Sequence, residues 1–157
     1  RRMARRPMGS RRGDDLSRLK EGKVPSPTRR HIDIEGPHAA RRAREEVRRL
    51  VRETAGGDVP PRRTAEDDAA LVVSEVVTNA VRHGGGVCAL DLAVGPDGLD
   101  IAVTDRSTRL PYLRRPSLTG EGGLGLGIVA RLADAVTTCA AAGPGEGKAV
   151  HVHLRLS

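Results

Sequence analysis

The stretch that decides the fold is SEVVTNAVRHGGG, residues 74–86. Its valines and alanines predict a buried helix, yet it carries Glu75 and Asn79 and ends in three glycines. The two polar residues are four apart, so they share one helix face, with Arg82 and His83 one turn further on. Since an unpaired buried carboxylate costs several kcal/mol, two interpretations stand. The pair bonds to neighbouring backbone or water, or it forms a polar stripe that lines a ligand cleft.

The cleft interpretation has a specific chemistry. An asparagine oxygen is a hard ligand of the kind that Mg²⁺ prefers, and this ion usually shares its shell with waters and phosphate oxygens. A glutamate one turn earlier can accept a proton from water or a hydroxyl group. The spacing of Glu75 and Asn79 therefore predicts a metal ligand and a general base on one helix face.

Composition predicts a single small domain that follows a basic tail. Of the 157 residues, 38% are hydrophobic but only 1% are aromatic, so we expect a core of Val, Leu, Ile and Ala. Residues 1–30 hold 11 Lys and Arg against three acidic residues, whereas the remainder holds 16 basic and 17 acidic residues. The net charge of +7 therefore belongs to the tail. Because the tail contains prolines and lacks apolar periodicity, it is predicted to be disordered. We expect the folded domain to span 31–157.

Several classes of protein are disfavoured by the same composition. No apolar stretch approaches the roughly 20 residues of a membrane span, and the tail lacks the apolar region of a signal peptide. Nucleic-acid binding is not expected of a near-neutral domain with almost no aromatic side chains. Cys88 and Cys139 lie in apolar, strand-like runs and are predicted to be free, buried thiols in a reducing cytoplasm. His151 and His153 lack a visible third ligand, so a metal site there is not predicted.

Periodicity and turn signals predict an α+β fold. The expected architecture is a two-layer sandwich, in which helices cover one face of a mostly antiparallel, mixed sheet. Thr64 with Asp67 resembles a capping box at the start of the second helix. The predicted order is strand 31–36, helix 37–55, helix 64–83, strands 87–94 and 99–105, a polar loop over 106–122, helix 124–135, and a hairpin of strands 136–142 and 149–156.

Two further segments carry candidate ligand chemistry. GEGGLGLGIV, residues 120–129, is a glycine-rich loop that enters a helix, where free N–H groups and the helix dipole favour phosphate. Its G-x-G-x-x-G spacing lacks a preceding strand, so a dinucleotide-binding fold is not predicted. GPGEGKA, residues 143–149, is short for a phosphate loop and is predicted to be a hairpin turn. IAVTD ends a strand on Asp105, whose carboxylate can accept a hydrogen bond from the amino group of a base.

In this order, the motifs resemble those of the ATP-binding domain shared by gyrases, histidine kinases and the large heat-shock chaperones. The chain from about 31 to 157 is most similar to the small bacterial anti-sigma-factor serine kinases. SEVVTNAVRHG matches their first box, VTD their adenine box and GGLGLGIVARLADAV their glycine box. The resemblance implies a Bergerat-type ATP-binding fold that binds ATP and Mg²⁺, with residues 106–122 as a lid over the nucleotide.

The resemblance also implies a role for each matching residue. Glu75 is the expected catalytic base and Asn79 the expected Mg²⁺ ligand. Asp105 is the expected adenine contact, and Ser107 stands where the adenine box of the family often has glycine. The glycine box supplies the phosphate-facing turn. The full set of expected nucleotide-binding residues is Asn79, Arg82, His83, Asp105, Ser107, Gly122, Gly123, Leu124, Gly125, Leu126 and Gly127.

Two functions remain open at this stage. The first is a serine/threonine kinase that acts on a small regulatory protein, an anti-sigma antagonist or a sigma factor, and so controls transcription. The second is a non-catalytic ATP-binding module that sequesters its partner. Both would act in the cytoplasm, and the resemblance suggests a homodimer.

Overall fold

The computed structural model describes residues 26–55, 61–106, 124–141 and 147–157. The elements, in chain order, are β1 (Thr28–Glu35), α1 (Ala39–Thr54), α2 (Ala65–His83), β2 (Val87–Gly95), β3 (Gly98–Asp105), α3 (Leu124–Leu132), β4 (Ala135–Ala140) and β5 (Lys148–Leu154). The predicted α+β class is confirmed. No helix in these ranges is long and apolar enough to cross a membrane.

The five strands form one sheet in the order β1-β2-β3-β5-β4, and every pairing between them is antiparallel. The last strand in the chain, β5, therefore lies inside the sheet, and β4 forms an edge. Composition explains this order. The alternating residues Val150, Val152 and Leu154 of β5 are buried, whereas β4 reads AVTTCA and is largely exposed.

One face of the sheet carries the core and the helices. Side chains of β1, β2, β3 and β5 alternate, so that Ile34, Leu90, Ile101 and Val152 are among the buried ones. The helix α1 contributes its apolar stripe, and α2 is apolar around most of its circumference, with eight buried residues. The core consists of Val, Leu, Ile and Ala with Cys88, as the composition predicts.

Element boundaries differ from the sequence-based expectation at a few places. β1 begins at Thr28, three residues early, because Thr28, Arg29 and Arg30 continue the ladder with β2. α3 ends at Leu132 rather than near 135, because Ala135 already pairs with His153 of β5. Residues 1–25, which form most of the predicted tail, lie outside the described residues.

Two local expectations were wrong. Thr64 precedes α2 but makes no capping hydrogen bond to the backbone; its hydroxyl donates to Asp68 instead, at 3.1 Å. Cys139 is exposed rather than buried, because it lies on the edge strand β4, while Cys88 is buried and both are free thiols.

Candidate functional site

The helix α2 is held against α1 by polar contacts along its exposed side. Arg52 Nε donates to Glu66 Oε2 at 2.8 Å, near the start of α2. Two turns later Arg44 Nη1 donates to Ser74 Oγ, also at 2.8 Å. Because Ser74 immediately precedes Glu75, this second bond fixes the rotation of α2 at the position where its polar stripe begins.

Glu75 lies at the junction of α2 and α3. Its carboxylate occupies the space beside the Cα of Gly125, where an added Cβ would overlap Glu75 Oε2. Gly125 is the second residue of α3, so the carboxylate reaches the first turn of the helix that the glycine box begins. The structure therefore brings together two residues that are 50 positions apart in the chain and that the sequence assigned to one site.

Asn79 lies one turn after Glu75 and is likewise half-buried, whereas Arg82 and His83 are exposed in the last turn of α2. Within the described ranges, no cluster of three or more His, Cys, Asp or Glu could enclose a metal ion. Mg²⁺ does not need such a cluster, because it commonly takes one or two protein oxygens together with waters and phosphate oxygens. The side-chain oxygen of Asn79 fits that pattern.

The three glycines after α2 make the close approach of this helix to the sheet possible. Gly84 is buried, and a Cβ there would lie 2.6 Å from Asp105 Cβ as well as overlap the carbonyl of Ala80. Gly85 and Gly86 both have a φ of 87°, a backbone conformation that favours glycine. The break after the valine helix therefore lets α2 end directly against Asp105.

Asp105 is the last residue of β3 and faces the core side of the sheet. Its side chain is 1% exposed, and Lys148 Nζ lies 3.3 Å from its Oδ2. Cys88, Asp105 and Lys148 occupy directly paired positions on β2, β3 and β5, so they form one row at the end of the sheet. Burial raises the pKa of the Cys88 thiol to about 11, and the negative charge of Asp105 adds to this shift.

The remaining predicted residues belong to the glycine box and the lid. Leu124 begins α3, Leu126 is half-buried, and Gly127 is exposed with open space around the position of a Cβ. Ser107, Gly122 and Gly123 lie outside the described residues, as does the predicted lid except for Arg106. The polar stripe of α2 and Asp105, two of the expected nucleotide-contacting regions, lie on the same, helix-covered side of the sheet.

Sequence reasoning missed Lys148, Gly84 and the place of Cys88 beside Asp105. A signal for Lys148 was present in KAVHVHL, because the period of two places Lys148 on the same face as Val150 and Val152. The preceding segment GPGEGK, however, predicts only a turn. Gly84 carried no signal that distinguished it from its neighbours, since a close approach between two elements depends on tertiary structure.

A separate groove of about 960 Å³ lies on the opposite, outer face of the sheet. Two His–Asp pairs border it: His31 Nδ1 is 2.6 Å from Asp91 Oδ1, and His153 Nδ1 is 2.7 Å from Asp100 Oδ1. Of the predicted nucleotide-binding residues that the structure describes, none lines this groove.

Comparison with known proteins places these observations in a family. Residues 37–153 match the sequence profile of the histidine kinase-like ATPase domain. No curated protein shows a significant match. Among solved structures, the RsbU and RsbW domains of Rv1364c from Mycobacterium tuberculosis are similar, with a TM-score of 0.57 and 24% identity over 82% of this chain. The match covers 32% of that solved chain, and the likeness is one of fold.

Proposed function

Because the chain belongs to the histidine kinase-like ATPase domain family, we propose that it binds Mg²⁺ and ATP at the junction of α2, α3 and the end of β3 and transfers the γ-phosphoryl group to a protein hydroxyl. Family membership supports an ATP-binding regulatory role. The phosphotransfer and the identity of the acceptor, a serine or threonine of a small regulatory partner, are our proposal.

The observation that carries the proposal is the contact of the Glu75 carboxylate with the first turn of α3 at Gly125. The start of a helix presents free N–H groups and the positive end of its dipole, which favour phosphate. The same groups also stabilise a carboxylate, so a proton acceptor and a place for the phosphates of ATP adjoin at this helix start. That arrangement suits proton transfer to Glu75 during the reaction.

In the proposed reaction, Glu75 accepts the proton of the partner's hydroxyl group. The hydroxyl oxygen forms a bond to the γ-phosphorus of ATP, the bond from that phosphorus to the bridging oxygen breaks, and ADP leaves. General-base catalysis of this kind contributes about 10²–10⁴ in rate. Mg²⁺, when bound, offsets the charge of the phosphates, and Asn79 supplies a protein oxygen to it. Asp105 accepts a hydrogen bond from the adenine amino group.

The same geometry also serves a protein that binds ATP and sequesters a partner without chemistry. That alternative uses Asn79 and Asp105 but does not need Glu75. The two functions therefore separate at one residue, which makes Glu75 the position to test.

The experiment first measures ATP binding by calorimetry, with and without Mg²⁺, for the wild type, E75Q and the control E66Q. Glu66 lies on the same helix and pairs with Arg52 at 2.8 Å, away from Gly125. We expect all three proteins to bind ATP. Each is then incubated with labelled ATP and the protein that the immobilised wild type retains. Phosphotransfer should be lost in E75Q and kept in E66Q.

The outcomes decide between the functions. A retained partner that wild type and E75Q both leave unlabelled would establish the sequestering module in place of the kinase. Absence of ATP binding at millimolar concentration by folded wild type would remove both.

We further propose an anti-sigma antagonist or a sigma factor as the partner class, and a homodimer as the functional unit, from the resemblance to anti-sigma-factor kinases. Sedimentation equilibrium across a range of protein concentrations tests the dimer. The two free thiols support a reducing compartment such as the cytoplasm as the place of action.

A further inference from the structure

Asp105 and Lys148 are the two charged residues that are buried within the described part of the chain. Their side chains are 1% and 3% exposed, and Lys148 Nζ lies 3.3 Å from Asp105 Oδ2. They stand directly opposite each other on β3 and β5. Around them the row consists of the buried Cys88 on one side and Ala140 of β4 on the other.

Stability alone does not account for this pair. Removing two charges from water costs about as much as their attraction returns, and apolar residues of similar size are often as stable or more so. On β3 and β5 the other residues of this face are all apolar: Leu99, Ile101, Val103, Val150, Val152 and Leu154. Core packing therefore does not explain a lysine at the first core-facing position of β5, and its interaction with Asp105 is the remaining explanation.

We propose that Lys148 is a positioning residue of the nucleotide site, whose ammonium group holds the Asp105 carboxylate charged and oriented so that the site selects a 6-amino purine. This inference rests on the proposed function, because it assumes that Asp105 meets the base. Lys148 itself acts through Asp105.

The chemistry of the carboxyl group gives the reason. An ionised carboxylate only accepts hydrogen bonds, so it matches the amino group of adenine and opposes the carbonyl oxygen of guanine. A neutral carboxyl group can also donate, and it would tolerate either purine. The Lys148 ammonium group, 3.3 Å from Asp105 Oδ2, is the counter-charge beside that carboxylate. The glycine at position 84 lets α2 confine the carboxylate from the other side, since a Cβ there would lie 2.8 Å from Asp105 Cγ.

The experiment compares two probes, ATP and purine riboside triphosphate, which carries hydrogen in place of the 6-amino group. Calorimetry gives the ratio of their dissociation constants for each protein. A hydrogen bond to a charged group predicts that wild type binds ATP roughly tenfold or more tightly than the analogue. In K148M we expect the two dissociation constants to differ by no more than about threefold, mainly because ATP binds more weakly.

A purely structural role predicts something different. K148M would then lose affinity for both nucleotides equally, and the unchanged ratio would overturn the proposal. The control is H151Q, on the same strand but on the outer face of the sheet, where the ratio should remain that of wild type.

A second variant covers the case in which K148M does not fold. K148Q keeps the length and a hydrogen-bond donor but removes the charge, and its ratio should fall at least about threefold because the carboxylate loses its counter-charge. A wild-type ratio in K148Q would overturn the claim that the charge matters. Equal binding of both probes by wild type would refute the adenine contact of Asp105 but leave the proposed phosphotransfer from ATP intact, whereas binding of neither would refute the proposed function itself.

Discussion

The carboxylate of Glu75 and the Cα of Gly125 are in direct contact, and this contact joins α2 to α3 at the candidate site. A side chain at position 125 would require the space that Glu75 Oε2 occupies. Two residues later in the same helix, Gly127 has open space around it. The glycine at 125 is therefore required by the position of Glu75, while the glycine at 127 has no such constraint from the described residues.

A double-mutant cycle on unfolding free energy tests this contact. Alanine in place of an exposed helix glycine stabilises by about 1 kcal/mol, so G127A should gain that amount. G125A should gain less, because its methyl group displaces the end of Glu75. In an E75A background the Glu75 side chain no longer obstructs the new methyl group. G125A should therefore raise the unfolding free energy by at least about 0.5 kcal/mol more in E75A than in the wild type.

The control is the second cycle, between G127A and E75A, which should be additive. Additivity in the G125A cycle as well, measured by urea denaturation, would show that Glu75 does not contact Gly125.

The approach of Gly84 to Asp105 leads to a second prediction. G84A places a methyl group against the Asp105 side chain and the carbonyl of Ala80, and overpacking of this kind costs about 1–3 kcal/mol. The matched control is G95A, at the end of β2, where the nearest atom to the new Cβ is Pro27 Cβ at 3.7 Å. Thermal denaturation should show a lower midpoint for G84A and little change for G95A. Equal midpoints for the two variants would contradict the close approach.

The sequence predicted most of the fold because its periodicities are strong. The alternation in β2, β3 and β5 and the valine-rich pattern of α2 mark both the elements and their buried faces. It did not predict that β5 lies between β3 and β4, because that pairing is formed by residues distant in the chain. Cys139 was expected in the core because it lies in an apolar run, but it is exposed because β4 pairs on one side only and forms the edge of the sheet.

The residues of the candidate site that belong to sequence motifs could be predicted, whereas those that reach it through tertiary contacts could not. Glu75, Asn79 and Asp105 stand at motif positions, and the structure places them on the helix-covered side of the sheet. The ion pair of Lys148 with Asp105 depends on the register between β3 and β5, which no local pattern fixes. In the sequence nothing distinguishes Gly84 from Gly85, although only Gly84 faces Asp105 in the structure.

On the outer face of the sheet, His31 should titrate above its ordinary value. The hydrogen bond from its ring to Asp91 raises the pKa of His31 above 6.5, and Asp33 adds a smaller contribution. Nuclear magnetic resonance titration should therefore give a raised pKa for His31 in the wild type. D91N should lower this pKa more than the control D33N does. Equal effects of the two variants would contradict the assigned contact.

The same pair should make stability depend on pH in a defined direction. Because the pKa of His31 is raised in the folded state, its contribution is fully present below 6.5 and is lost as the pH rises through the folded value. The difference in melting temperature between wild type and D91N should thus be largest near pH 5 and should vanish in mildly alkaline solution. A difference that persists unchanged into alkaline solution would mean that the pair is not an ion pair.

The two cysteines should differ sharply in reactivity, because one is exposed on β4 and the other is buried beside Asp105. A thiolate is the reactive species, and burial together with the charge of Asp105 raises the pKa of Cys88 to about 11. At pH 8, a disulfide reagent should therefore react rapidly with one thiol per chain and with the second only after unfolding. C139S should abolish the rapid phase, and C88S should leave it intact.

The raised pKa of Cys88 also predicts a loss of stability in alkaline solution. The unfolded chain releases the thiol proton near the ordinary value of 9.0, whereas the folded chain retains it to about 11, so the free energy of unfolding falls between these two values. A shift of this size corresponds to about 2–3 kcal/mol. C88A removes this dependence, so the difference in unfolding free energy between wild type and C88A should change by that amount from pH 8.5 to 11. A difference that stays constant would show that Cys88 ionises equally in both states and that the negative charge of Asp105 does not reach it.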